Sequence, residues 1–297
     1  MVADHPEALM GAGWSGRYYP VLTNFIDATG TLPVHLHADD ETARRLEGQP
    51  NGKTEAWHLL DAAPGATALC GVREGVTAER LHAALRVQDF DAVLRRLPVR
   101  AGETLYVPGG TPHSFGPDTL VYEIEQTSDV QQHAMRWKME DGSPVGDAEF
   151  ASRLDMLMQQ VDLHTRPDFT PGLGIAVGDG VRRVFLCAGP YFVLERWQAG
   201  TVEPLRHSFA TAQVLSNVGA PVRVRTGGRN EELGPAETLL LPAACAEAEI
   251  TGPADVLFGY LPDLDRDVRG PLLAAGYPRP LVDSLGPGAG RAGGGAF

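Results

Sequence analysis

His35 and His37 stand two apart in TLPVHLHADDE, behind an apolar lead-in and ahead of an acidic turn. In an extended strand, residues two apart share a face and lie about 6.6 Å apart along the chain, so both imidazoles can reach one ion. A pair of surface histidines has the same spacing, and the fragment alone leaves both readings open. Downstream, NGKTEAW offers Glu55 and GETLYVPGGTPHSFG offers His113. A strand, a tight Pro-Gly-Gly turn and a histidine opening the next strand would carry His113 back over a β-domain interior. Glu123 and Glu125 in VYEIEQ share one strand face, opposite Tyr122 and Ile124. If that face points inward, burial would raise a carboxyl toward the range of a general base; if outward, the pair is a solvated surface. Lys53 is either a point charge for an anionic oxygen or a surface residue of the PNGK turn.

The elements that must position these groups are mostly strands. From residue 31 to about 127, TEAWHLLDA and ETLYVPGG are β-rich, with Gly and Pro punctuating at short intervals. Within this stretch, VTAERLHAALRVQDFDAVLRRLPV repeats Leu81, Leu85, Val93, Leu94 and Leu97 at roughly helical spacing, with Thr77 as N-cap and Pro98 as stop. This predicts a short helical pair inserted over about 76–97. A second helical stretch begins at 146, and its Leu154, Met158 and Val161 read as core. Strand patterns resume at 181 with RRVFLCAGPYFVLERW and continue to ADVLFGYL.

AGETLYVPGGTPH and GPAETLLLPAACAE echo one another: Glu103, Thr104, Leu105 and Pro108 match Glu237, Thr238, Leu239 and Pro242, an offset of 134 residues from Glu103 to Glu237. A repeat at that distance predicts two β domains of one architecture. The second copy has Glu247 where the first has His113, and no His-x-His precedes it, so the working site is expected in the first copy. The predicted organisation is a metal-binding domain over 1–145, a helical linker over 146–180, a degenerate second domain over 181–265 and a partly disordered Gly-rich tail over 266–297.

The 297-residue chain has ample material for buried cores. Its 43% hydrophobic residues include no apolar run near the roughly 18–20 residues of a membrane span. A net charge of −13 without a Lys/Arg cluster argues against nucleic-acid binding and leaves a small-molecule substrate as the expected partner. The opening MVADHPEALMGAGWSGRYYP lacks the pattern of a secretory signal, from which a cytoplasmic location is expected. Cys70, Cys187 and Cys245 are odd in number and far apart, which fits core thiols better than a disulfide framework.

The Gly102-x5-Pro108-x-Gly110-x2-His113 spacing resembles the second signature of the cupin superfamily, the jelly-roll β fold in which His-x-His, a later Glu and this second His bind one divalent metal. The resemblance implies His35, His37, Glu55 and His113 as ligands. Such a set suits Zn first, with Mn, Fe or Ni also accommodated. More narrowly, NFIDATGTLPVHLHADDE, GKTEAWHLLDA, LRRLPVRAGETLYVPGGTPHSFG and LVYEIEQTSD resemble the short bacterial form of type I phosphomannose isomerase, itself a bicupin. That likeness implies an all-β dominated bicupin with a small helical insertion, a sugar-phosphate substrate, and Lys53 close to it.

The chain departs from the family pattern in four places. His35 replaces the usual Gln, and Pro33 replaces the Ser before it. SDVQQHAMRW puts His133 where the family arginine is expected, with Arg136 and Lys138 nearby. Only about 20 unmatched residues precede VLTNFIDA, in place of a longer segment with a Trp-Gly-Gly element. The leading expectation is therefore an aldose–ketose isomerase that uses Lys53 for electrostatics and Glu123 or His133 as proton carrier. The alternatives are an oxygenase-type cupin with three His and one Glu, and a non-catalytic sugar-binding bicupin.

Overall fold

The first nine strands are β1 (Val21–Ala28), β2 (His35–Leu36), β3 (Glu55–Ala62), β4 (Thr67–Val72), β5 (Leu94–Pro98), β6 (Thr104–Val107), β7 (His113–Ser114), β8 (Thr119–Gln126) and β9 (Gln132–His133). They form two sheets, ordered β1-β8-β3-β6 and β5-β4-β7-β2-β9. The next ten are β10 (Leu173–Ala176), β11 (Val181–Ala188), β12 (Val193–Ala199), β13 (Leu205–Ser208), β14 (Gln213–Asn217), β15 (Val222–Thr226), β16 (Arg229–Leu233), β17 (Thr238–Leu241), β18 (Glu247–Thr251) and β19 (Ala254–Tyr260). Their sheets are ordered β10-β11-β12-β19-β14-β17 and β13-β18-β15-β16. These assignments come from a computed structural model that describes residues 1–139, 141–178, 180–200 and 204–289.

The chain divides into two compact units, Thr23–Phe169 and Met1–Leu22 together with the chain from Thr170 on. The order β8-β3-β6 in the first matches β19-β14-β17 in the second, and β5-β4-β7-β2 matches β16-β15-β18-β13. The 134-residue echo is thus a repeated jelly roll, because the Glu-Thr-Leu segments supply β6 and β17 at the same sheet position.

Three segments differ from the sequence expectation. The predicted helical pair over 76–97 is a single helix, Ala78–Arg86, with Leu81 and Leu85 buried and the Thr77 side chain accepting from the Arg80 amide. The chain turns at Gln88, in the left-handed region at φ 63°, and Leu94–Pro98 pairs with β4. Leu94 and Leu97 then enter different clusters: Leu94 joins Leu81 and Leu85, while Leu97 packs beside Trp57 and Leu105. Their three-residue spacing suggested a helix but serves a strand, in which they take opposite faces.

The helix Asp147–Gln160, placed in a linker by the sequence, puts Phe150, Leu154 and Leu157 into that first cluster with Leu36, Leu69 and Val72. It is part of the first unit because its apolar stripe finds a ready-made cover there. The 266–297 tail also folds in part: Val268, Leu272, Val282 and Leu285 join the core of the second unit, and the Ala188 amide donates to the Leu285 carbonyl. Residues 290–297, the rest of the stretch expected to be disordered, lie outside the described residues. No helix among the described residues is long and apolar enough to cross a membrane.

Candidate metal centre

His35 on β2 is paired on one side with His113 on β7 and on the other with His133 on β9. Three imidazoles therefore stand in a row across adjacent strands. His37, two residues on, joins them from the same face of the chain. Its arm is set by two glycines packed against the backbone of Ala38 and Asp39. A Cβ on Gly52 would come within 2.2 Å of the Ala38 carbonyl, and one on Gly109 within 2.7 Å of Asp39 Cα. No residue with a side chain fits either position, and the Gly110 amide then donates to the His37 carbonyl at 2.6 Å.

Each ligand candidate is oriented through its outer nitrogen. His35 Nδ1 lies 2.8 Å from the Pro33 carbonyl, His37 Nδ1 2.8 Å from the Val130 carbonyl and His113 Nδ1 2.8 Å from the Thr111 carbonyl. A carbonyl oxygen only accepts, so each Nδ1 carries the proton and donates, which leaves a lone pair on every Nε2. Those lone pairs converge. His35 Nε2 and His113 Nε2 are 3.0 Å apart, and the Glu55 carboxylate lies 3.2 Å from His37 Nε2 and 3.1 Å from His113 Nε2.

This is a set of acceptors facing acceptors. His37 Nε2 is buried and has no hydrogen-bond partner, despite the nearby carboxylate. Protonating His35 is disfavoured: burial first, then the neighbouring histidine His113, holds it well below its ordinary 6.5. Burial likewise lowers His37, against the attraction of Glu55. Burial pushes the Glu55 carboxyl upward, but His113 and His37 outweigh it and leave it well below the usual carboxylate range. The residues fit a divalent cation: three imidazoles offer ligand nitrogens within 4.8 Å of one another, each braced by a backbone oxygen, and the Glu55 carboxylate reaches two of them, at 3.2 Å from His37 and 3.1 Å from His113.

A second layer borders this cup. Trp57, on the same face of β3 as Glu55, donates through Nε1 to Glu55 Oε1 at 2.9 Å and to Glu123 Oε1 at 3.2 Å. Asn24 Nδ2 donates to Glu123 Oε2 at 3.2 Å. Lys53 Nζ pairs with Glu125 at 2.6 Å and stands 3.9 Å from Glu55. Glu123 and Glu125 are both buried, so their shared face points inward. Burial, reinforced by the charge of Glu55, raises the Glu123 carboxyl. Burial and then Glu123 raise Glu125 to about 8, against the pull of Lys53. Opposing carboxylates hold the Lys53 ammonium charged despite its burial.

His35, His37, Glu55 and His113 thus lie together, with Lys53 and Glu123 at the border. His133 stacks on His35 at 5.5 Å between ring centres. Arg136 is engaged elsewhere: it bonds Asp147 at 2.8 Å and lies 4.3 Å over the Phe150 ring. Trp57 and Asn24 were missed as site residues. Trp57 was legible, because period-two spacing puts it on the face of Glu55; Asn24 comes from β1 and has no local signal.

Known proteins are similar to this chain over most of its length. A mannose-6-phosphate isomerase of Streptococcus mutans is 28% identical over 264 residues, 88% of this chain and 79% of the relative. A probable mannose-6-phosphate isomerase of Bacillus subtilis is 28% identical over 262 residues, 86% of this chain and 79% of the relative. This chain is a divergent relative of the phosphomannose isomerases. The fold agrees: the crystal structure of the Bacillus subtilis mannose 6-phosphate isomerase superposes with a TM-score of 0.75 at 22% identity, covering 86% of this chain and 79% of that one. No family profile matches the chain. The second unit repeats the fold of the first without its histidines. Strand register places Gln213 opposite Leu241 as Glu55 lies opposite Val107, and Ser208 opposite Glu247 as His35 lies opposite His113. Neither His35 nor His113 has a histidine at its register equivalent there.

Proposed function

We propose that this protein is a metal-dependent aldose–ketose isomerase acting on a sugar phosphate, of the mannose 6-phosphate type, with His35, His37, Glu55 and His113 holding one divalent ion. The observation that carries the reading is the convergence of three Nδ1-anchored imidazoles, two of them within 3.2 Å of one buried carboxylate. The names of the curated relatives support the substrate class. When bound, the ion supplies Lewis-acid polarisation of the sugar oxygens.

The chain's own residues move the protons. Glu123 takes the proton from the carbon bearing the hydroxyl and returns it to the adjacent carbonyl carbon, while a hydroxyl proton passes between the two oxygens. Its two carboxylate oxygens are fixed by Trp57 and Asn24, and its raised affinity for a proton suits a carrier that must both take and give. Lys53 faces the carboxylates and offers positive charge where negative charge develops on the enediol oxygens. His133, stacked beside His35, is the alternative proton carrier.

Proton NMR of mannose 6-phosphate and fructose 6-phosphate in heavy water, with metal content measured, tests this. Interconversion with deuterium entering beside the carbonyl is expected, and Glu123→Gln should slow it by roughly 10²–10⁴-fold. No exchange from metal-loaded protein would overturn it. A third imidazole in the cup, His35 at 3.0 Å from His113, also suits dioxygen chemistry on iron or manganese. Oxygen uptake without isomerisation would mark that second reading.

A further inference from the structure

The second unit contains a cavity of about 230 Å³, walled by Trp197, His207, Phe209 and Tyr260 together with Arg183 and Gln213. It opens where the first unit has its cup, since Gln213 and Tyr260 occupy the register positions of Glu55 and Glu125. Behind the wall, Glu195 is fully buried and fixes three wall residues at once. It accepts from Arg183 Nε at 2.6 Å and Nη2 at 2.7 Å, from Trp197 Nε1 at 2.7 Å and from the Tyr260 hydroxyl. A guanidinium clamped on a carboxylate thus stands beside this cavity, where the first unit gathers metal-ligating groups.

The other cations of the lining are also paired, Arg266 with Asp267 at 2.7 Å and Arg206 with Glu249 at 2.8 Å. An anion entering here would compete with three carboxylates for its partners. Neutral hydroxyl groups need not break these ion pairs: they can both donate and accept, sharing the remaining hydrogen-bonding capacity of Arg183, Gln213, His207 and the Asp267 carboxylate, while aromatic walls take an apolar ring face. The volume is below the roughly 300–1,000 Å³ of drug-sized pockets, which limits the occupant to one small ring or an open-chain polyol.

We propose that this cavity is a non-catalytic binding site for a neutral polyol, a single unphosphorylated sugar. The site does not depend on the isomerase reading of the first unit. The indole N–H of Trp197, followed by ¹H–¹⁵N NMR in the full metal-loaded chain, reads the cavity directly, and the Trp57 indole reads the first cup. D-mannose, D-fructose and D-glucitol are the neutral probes, with inorganic phosphate alongside. Saturable shifts of Trp197 by at least one neutral polyol, with none from phosphate, are expected. Ala210→Trp and Ser208→Phe, at exposed positions of the lining, should each weaken that binding at least tenfold while leaving the sugar-free Trp57 signal in place. Absence of any polyol shift at Trp197, binding of phosphate as tight as that of the polyols, or a polyol shift that survives both substitutions would overturn the proposal.

Discussion

The two jelly rolls solve the same packing problem and fill their mouths with opposite chemistry. In the first, lone pairs crowd around Glu55 and call for a cation from outside. In the second, the cation is built in: Arg183 is clamped by Glu195, and its guanidinium stacks on Phe185 at 4.2 Å. Charge balance from within the chain stabilises the second cup and puts a salt bridge where the first cup gathers lone pairs. Repetition of a fold therefore says little about repetition of a site.

Removing a ligand from the first cup should break the comparison most sharply. His113→Ala or His37→Ala is expected to lose most of the bound metal, a larger effect than the roughly 10–100-fold cost of losing an outer-shell partner. Elemental analysis after gel filtration checks it, and full retention in either variant would contradict the ligand set. Breaking the built-in pair is next: Arg183→Ala leaves Glu195 buried without its cation and should cost about 3–5 kcal/mol of stability in the second unit. Metal content should be unchanged, measured alongside thermal unfolding.

Metal removal is the smaller, reversible counterpart. Chelation should lower the melting temperature of the wild type, and re-addition at about 100 times the dissociation constant should restore about 2.7 kcal/mol. No such recovery is expected in His113→Ala. A milder effect is expected from acid. Burial lowers His207 from 6.5, so the folded chain keeps it neutral while the unfolded chain protonates it. Its contribution to stability is complete above pH 6.5 and is lost as the pH falls from 6.5 toward its folded value. His207→Gln should flatten that part of the stability profile, seen by denaturant titration at several pH values. Smallest is thiol labelling of the native protein: Cys245, half-buried, should react first. Burial shields Cys70, raises its thiol far above the ordinary value, and pushes the Cys187 thiol up to about 12.

The sequence by itself determined the repeat and singled out the residues of the candidate cup, because those signals are local or strictly periodic. His35 and His37 share a strand face by period two, the Pro-Gly-Gly turn announces His113, and Glu103 to Pro108 reappear 134 residues later as Glu237 to Pro242. Leu94 and Leu97 misled, since a three-residue spacing fits a helix and also two faces of a strand. Only the tertiary structure decided which oxygen holds each imidazole, that Asn24 and Trp57 fix Glu123, and that Glu195 gathers Arg183, Trp197 and Tyr260. The contacts that cross between strands and loops, His37 to Val130, Asn24 and Trp57 to Glu123, and Arg183 and Tyr260 to Glu195, have partners set by sheet register and burial, quantities that no local pattern along the chain encodes.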